Sequence, residues 1–316
     1  MAKIVIVGAA GFIGQALARR LIADGVPTLA VTRTAASTAG SLPTIAIGDL
    51  SPSTDWTPVL AGASGVVHLA ARAHRPSGPS DAWVETEAAA AASLAAAAAR
   101  AGLRQVLLVS SAKVHGEATS GAPFRADQPP APADAYGIAK ARTEAAMRGA
   151  LQGTGTGLAI VRPPLVYGPG VRANFLALLR LVRRAPALPF ASIRNRRSLI
   201  YRENLVDLLV RILCAPEPVR GSFLARDSED LSTPGLIRSI GREFGHTPLL
   251  LPCPVGILRG AARLLGQAGA MARLTDSLQL DDAPTRRALA WEPPYTTAEG
   301  LAATCRWFRD PASALR

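Results

Sequence analysis

Cysteine, histidine and lysine are all scarce in this 316-residue chain, and the first two scarcities remove a class of function. The three cysteines, Cys214, Cys253 and Cys305, lie far apart, with no C-x-x-C pair and no histidines at ligand spacing. That argues against a zinc site and against a disulfide framework, so no metal is expected and a reducing, cytoplasmic setting fits best. Long apolar runs are missing too. Ile4-Val5-Ile6-Val7 follows Lys3 but meets glycine at once, too early for the apolar segment of a signal peptide. The apolar region 247–274 is interrupted by Pro248, Pro252, Pro254, Arg259 and Arg263, which makes it a poor bilayer span. No membrane insertion is expected.

Lysine supplies only three of the 35 basic side chains: Lys3, Lys113 and Lys140. The formal net charge of +12 invites a nucleic-acid partner. The basic residues are scattered along the chain, however, instead of being gathered into a tail or stripe. A small polyanionic ligand accounts for them as well, and no nucleic-acid partner is expected.

What is present is alternation. Short β-branched runs at 3–7, 28–32, 44–47, 65–70, 105–110 and 158–162 predict strands, and 12–24, 81–101 and 136–151 predict helices between them. This is the pattern of βαβ units: an α/β, Rossmann-type doubly wound parallel sheet, with a smaller C-terminal substrate-binding region. A nucleotide-binding domain is expected over 1–165, with a returning segment near 197–226; 166–196 and 227–316 form the second region. Helix 81–101 is so rich in alanine that another helix can pack closely on it, either as a dimer seam or as burial against the sheet. A proline-rich stretch, 116–134, predicts a loop.

Gly8-Ala9-Ala10-Gly11-Phe12-Ile13-Gly14 follows the first strand and opens the first helix. Glycine permits a tight turn and close approach of the backbone to a pyrophosphate, and the helix start offers unpaired N–H groups to the anion. The G-x-x-G-x-x-G spacing resembles that of extended short-chain dehydrogenases/reductases, the NAD-dependent epimerase/dehydratase family. The resemblance implies cofactor contacts at Gly8, Gly11, Phe12, Ile13 and Gly14. It also implies them at Asp49 and Leu50, where the carboxylate meets the adenine amine, and at Leu69, Ala70 and Ala71 under the adenosine ribose. Pro163 joins this set. At the end of the second strand, where a carboxylate would hold a ribose 2′-hydroxyl, Thr32-Arg33 stands instead. That favours NADP(H), with Arg33 on the 2′-phosphate and Thr32 assisting, and leaves NAD(H) as the alternative.

Tyr136 and Lys140 stand four residues apart, on one face of a predicted helix. Ser111 ends the fifth predicted strand, where parallel sheets place their ligands, 25 residues before Tyr136. The spacing resembles the family's serine, tyrosine and lysine, and the three are the candidate catalytic residues. A phenol titrates near ~10 on its own, and nearby positive charge from Lys140 and an oxidised nicotinamide is expected to favour the phenolate. Tyr136 then exchanges a proton with a sugar oxygen, Ser111 hydrogen-bonds that oxygen, and Lys140 tunes Tyr136 and steadies the nicotinamide ribose. Tyr136 and Lys140 thus belong to the cofactor contacts as well, and Ser111 to the substrate contacts.

Further along, Asn174 resembles the family's asparagine beside the diphosphate or uracil, and Arg197 its diphosphate-gripping arginine. A planar guanidinium meets paired phosphate oxygens well. Arg194 and Arg196 read as solvated neighbours and Asn204 as structural. The segments around Ser111, Asn174 and Arg197 resemble the bacterial branch that reduces UDP-4-keto-6-deoxy-N-acetylglucosamine, a branch often labelled UDP-glucose 4-epimerase. Ser111-Ala112-Lys113 lacks the Asp-Glu pair of 4,6-dehydratases. The expectation is an NAD(P)H-dependent reductase of a UDP-linked 4-keto-6-deoxy-N-acetylhexosamine. A UDP-hexose 4-epimerase is the alternative, and a cofactor-sensing or nucleic-acid-binding protein on the same fold is a different class. The family commonly forms homodimers through helices matching 81–101 and 136–151. Two positions depart from the family: Glu85 stands where it has asparagine, which puts local hydrogen bonding beside the active-site strand in doubt, and His115 stands where it has tyrosine, a change in the pocket wall read equally as packing or catalysis.

Overall fold

The computed structural model describes residues 3–34, 42–70 and 81–310. Its first half runs β1 (Lys3–Val7), α1 (Phe12–Ala23), β2 (Thr28–Thr32), β3 (Thr44–Ala46), α2 (Thr57–Leu60), β4 (Ala63–His68), α3 (Asp81–Arg100), β5 (Gln105–Val109), α4 (Ala135–Leu151) and β6 (Gly157–Arg162). A single 3₁₀ turn, Ala112–Val114, follows β5. The second half runs β7 (Leu165–Tyr167), α5 (Ala173–Arg184), β8 (Ala187–Leu188), β9 (Leu199–Tyr201), α6 (Arg202–Leu213), β10 (Gly221–Leu224), α7 (Thr233–Phe244), β11 (Leu249–Leu250), α8 (Val255–Leu264), α9 (Ala268–Thr275), α10 (Ala283–Leu289) and α11 (Thr297–Arg309).

Among the described residues seven parallel strands form one sheet in the order β10-β6-β5-β4-β1-β2-β3. Side chains alternate across a strand, so the apolar run Ile4-Val5-Ile6-Val7 serves both faces. Ile4 and Ile6 meet Leu17 and Leu21 of α1 and Leu205 and Leu209 of α6. Val5 and Val7 meet Leu94, Ala95 and Ala98 of α3 and Met147 of α4. The chain reverses its direction of travel at β1, whose neighbours are β2 and β4. Such a switch leaves a crevice at the carboxyl ends of the strands, the place where open α/β sheets hold ligands.

The alanines of α3 let it lie along α4 within the same chain, with Ala88, Ala91, Ala95 and Ala98 buried. β4 ends at His68, before Leu69 and Ala70, because those two residues leave the sheet to pass beside Gly8. The C-terminal elements build a separate core around Tyr167, Phe175, Leu179, Tyr201, Ile237, Ile240 and Leu301. The two short pairs β7–β9 and β8–β11 belong to this half. α6 and β10 return to the main sheet, α6 packing on α1 and β10 pairing with β6. Among the described residues no helix is long and apolar enough to cross a membrane, and no group of His, Cys, Asp or Glu is placed to hold a metal ion.

Candidate active site

The glycine turn is built by the absence of side chains. Gly8 sits at φ +92°, which L side chains rarely adopt, and a Cβ there would lie 2.8 Å from the Ala70 nitrogen. A Cβ on Gly14 would lie 2.3 Å from the Gly8 carbonyl oxygen and one on Gly11 3.2 Å from it. The turn therefore folds back on itself, with Gly11 N–H donating to Gly8 O at 3.0 Å. Gly11 caps α1 without any side-chain partner, and the first turn of α1 carries no acidic residue. Phe12 and Ile13 are half-buried at that turn, Phe12 lying under the Arg202 guanidinium at 5.1 Å. A bare, glycine-lined helix start facing the sheet switch fits a dinucleotide pyrophosphate. Leu69, Ala70 and Leu50 line up behind it, each half-buried on the sheet cores. Ala71 lies outside the described residues.

The structure weakens the expected preference for a 2′-phosphate. The Thr32 hydroxyl is buried and donates to the Thr34 carbonyl at 3.0 Å, so it is engaged with its own chain. Arg33 is exposed and its guanidinium lies 3.9 Å from the Asp49 carboxylate. An acidic neighbour offsets part of the charge that would attract a phosphate, so residues 32 and 33 give no support to a preference for NADP(H).

Ser111, Tyr136 and Lys140 come from two elements locked together. Ser111 is half-buried at the end of β5, and its Oγ accepts from Lys113 N at 3.2 Å, starting the 3₁₀ turn. Asp134 caps α4 by accepting from Gly137 N at 2.7 Å, while its other oxygen pairs with Lys113 Nζ. Lys113 also donates to Glu117 at 2.7 Å. Gly137 permits the contact, because a Cβ there would lie 2.6 Å from the Lys113 carbonyl. The start of α4 is thus clamped on the turn that follows Ser111. One helical turn on, Lys140 is buried, donates to the Val109 carbonyl at 3.3 Å and lies 5.9 Å from the Tyr136 ring centre. Pro163 is buried at the neighbouring strand end, its carbonyl accepting from Ala112 N at 2.9 Å.

The electrostatics differ from expectation. Burial, then the carboxylates of Glu87 and Asp134, push the Tyr136 phenol up to about 12. Burial pulls the Lys140 ammonium below its ordinary value, against the opposing pull of Glu87 and Glu144. The phenolate expected from sequence is therefore not what the chain's own charges favour, because low polarity and two carboxylates outweigh one ammonium.

Glu87, absent from the sequence expectations, is the carboxylate that acts on both members of this pair. Glu85, the departure from the family's asparagine, is exposed and lies 3.8 Å from Arg142 at the surface. The helical period carried the signal: Glu87 shares a stripe with the buried Ala91, Leu94, Ala95 and Ala98. A second unforeseen unit lies beneath the site. Arg162, at the end of β6, donates to both oxygens of Glu144 on α4, at 2.9 and 2.6 Å. It also donates to His115 Nε2 at 2.9 Å. Arginine has no acceptor, so Nε2 carries the lone pair and the ring is neutral. Burial and then Arg162 bring His115 down to about 4. With its ring stacked on Phe124 at 5.6 Å, His115 is a packing residue.

On the far side, Asn174 is exposed at the second position of α5, directly after Ala173, whose φ of +50° is left-handed. Arg197 is half-buried and spends one donor on the Asp276 carbonyl at 3.0 Å. Arg194 and Arg196 are exposed. Asn204 is buried, donating to Asp227 Oδ1 at 2.8 Å and to Tyr295 O at 2.9 Å. Tyr167 donates to the other Asp227 oxygen at 2.7 Å, so this trio braces β7 against α6.

A doubly wound sheet with a glycine-lined helix start, and a tyrosine and lysine one turn apart beside a strand-end serine, defines a nucleotide-dependent dehydrogenase-like enzyme. Residues 4–222 match the NAD dependent epimerase/dehydratase family, and the chain belongs to it. It is 35% identical to a UDP-glucose 4-epimerase of Vibrio cholerae over 97% of this chain and 95% of that one. Among solved structures, UDP-N-acetylglucosamine 4-epimerase from Bacillus cereus superposes with a TM-score of 0.79 at 18% identity, covering 98% of this chain and 100% of that chain. UDP-glucuronic acid 4-epimerase from the same organism, in complex with NAD, gives 0.76 at 20% identity over 98% and 99%. At these identities the structures speak for the fold.

Proposed function

We propose that this protein is an NAD(H)-dependent 4-epimerase of a UDP-linked hexose, with Ser111, Tyr136 and Lys140 as its catalytic residues. The observation that carries the reading is the clamp that holds Tyr136 and Lys140, one turn apart, against the strand end bearing Ser111. The named activity of the V. cholerae relative supports the choice of epimerase. NAD in the B. cereus structure and the Arg33–Asp49 contact support NAD(H) over the NADP(H) expected from sequence. The reductase of a 4-keto-6-deoxy sugar, the first expectation, stands second because the V. cholerae relative is named an epimerase.

Gly8, Gly11, Phe12, Ile13 and Gly14 hold the pyrophosphate, and Leu50, Leu69 and Ala70 line the adenosine side. When bound, the nicotinamide supplies reversible hydride exchange with a sugar carbon. Tyr136 Oη moves the proton at the sugar hydroxyl and Ser111 Oγ holds the same oxygen by a hydrogen bond. Lys140, fixed by the Val109 carbonyl, sets the position and charge beneath the phenol. Arg197 uses its remaining donors on the substrate diphosphate, and Asn174 closes that end. Helices α3 and α4 leave Ala82, Glu85, Ala89, Ile138 and Arg142 exposed along one flank, the face through which a homodimer is proposed to form.

Purified protein given UDP-glucose without added cofactor is expected to form UDP-galactose. Turnover confined to NADPH plus a UDP-4-keto-6-deoxyhexosamine would replace the epimerase by the reductase, and no turnover with either would remove both.

A further inference from the structure

The α8–α9 hairpin presents a face that the fold does not cover. Between residues 245 and 275 the sequence has no aspartate or glutamate and three arginines, Arg259, Arg263 and Arg273. α8 spends its inner side on the C-terminal core, burying Leu258 and Ala262. Its outer side is apolar as well: Ile257, Ala261 and Leu264 follow i, i+4, i+7 spacing, and Ile257, Leu264 and Leu265 are 63%, 90% and 75% exposed. Leu249 and Leu251, at the strand edge leading into α8, are exposed too. Arg259 is paired with Asp276, whereas Arg263 and Arg273 form no ion pair among the described residues.

We propose that this hairpin docks the protein on the surface of a bilayer containing anionic phospholipid. Exposed leucines on a short helix flanked by unpaired arginines match an interfacial segment lying flat, apolar side at the acyl boundary and guanidinium groups at the phosphates. Long arginine side chains reach the headgroups while their stems stay with the leucines. At ten residues α8 is too short to span a bilayer. Charge decides between the candidate occupants. A second copy laid on this face brings arginines against arginines with no acid in the stretch to pair them, and a nucleic acid leaves the leucines in water. A bilayer with anionic headgroups satisfies both. α9 runs into Asp276, whose carbonyl holds Arg197, so the docked face connects directly to the proposed diphosphate arginine.

The test is co-sedimentation of the full chain with vesicles of phosphatidylcholine alone and of phosphatidylcholine mixed with phosphatidylglycerol. Wild type is expected to pellet with the mixed vesicles and about tenfold less with the neutral ones, the difference shrinking as salt is raised. Leu264→Ser with Leu265→Ser, both surface positions, is expected to cut binding about tenfold while epimerase turnover of soluble substrate is unchanged. Arg263→Glu with Arg273→Glu, a second variant independent of the leucines, is expected to lose the preference for anionic vesicles. Wild type staying in the supernatant with mixed vesicles overturns the proposal, as does a leucine variant that pellets like wild type. So does a leucine variant whose mass in light scattering is half that of wild type, since the face then belongs to a second copy.

Discussion

The glycine turn and the catalytic cluster meet at the same ends of the sheet but are specified in opposite ways. The turn works through what its residues lack: no Cβ at Gly8 or Gly14, no acid and no side-chain cap at the start of α1. Its seven residues are consecutive, and Gly8 and Ala9 reach outside them, Gly8 N–H donating to Val31 O at 3.0 Å and Ala9 N–H to the same oxygen at 3.3 Å, with Gly8 also lying against Ala70. The cluster works through what its residues carry, and each member depends on a remote partner: Lys140 on Val109, Asp134 on Lys113, Glu144 on Arg162. The turn takes its shape mostly from its own backbone. The cluster takes its electrostatics from its surroundings.

Four substitutions test this contrast. Tyr136→Phe removes the proton carrier alone, and turnover is expected to fall by roughly 10²–10⁴-fold. Dinucleotide binding, followed by fluorescence titration, is expected to survive; its loss would mean that the two devices are one. Glu144→Gln attacks the support beneath the cluster. The buried Arg162 is left without its anion, at a cost of about 3–5 kcal/mol in urea unfolding. Burial pushes the Glu144 carboxyl up, but Arg162 holds it below its ordinary 4.5 overall. Its contribution is therefore full above that pH and is lost as pH falls through the lowered value, so the variant is expected to show a shallower acid loss of stability. A variant as acid-sensitive as wild type would remove Glu144 from the account.

Gly14→Ala aims at the turn instead. Its methyl group meets Gly8 O at 2.3 Å and Ala9 Cα at 2.8 Å, so the helix start must shift. The expected cost is ~1–3 kcal/mol of stability, with dinucleotide affinity falling alongside. Normal affinity would show that the turn does not touch the pyrophosphate. The smallest effect is reserved for Glu87→Gln. Burial remains the main cause of the raised Tyr136 value, but one carboxylate is gone, so the pKa falls and the alkaline limb of the pH–rate profile moves to lower pH. An unmoved limb would place Glu87 outside the electrostatics of the site.

Strands β1, β2, β5 and β6 and helices α1, α3 and α4 were legible because apolar periodicity is a local property that both sheet faces enforce. The small strand pair β7–β9 was not, since Leu165–Tyr167 and Leu199–Tyr201 are short and joined only by tertiary contact. Within the site, the glycine turn and the Tyr136–Lys140 spacing were readable. Glu87 carries no motif of its own, and only the rotation of α3 against α4 brings its charge to the tyrosine. His115 stayed ambiguous until Arg162, 47 positions away, was seen to donate to it. The NADP(H) expectation rested on Thr32 and Arg33 alone, and nothing local to Arg33 reveals that Asp49 stands beside it.

By itself the sequence determined the alternating α/β order, the glycine-lined turn and the placement of a phenol and an ammonium on one helical face, all of which follow from backbone periodicity and steric permission. Only the tertiary structure decided which charges surround them. Coulomb interactions and desolvation depend on distance and burial, and those arise when segments far apart in the chain are packed together.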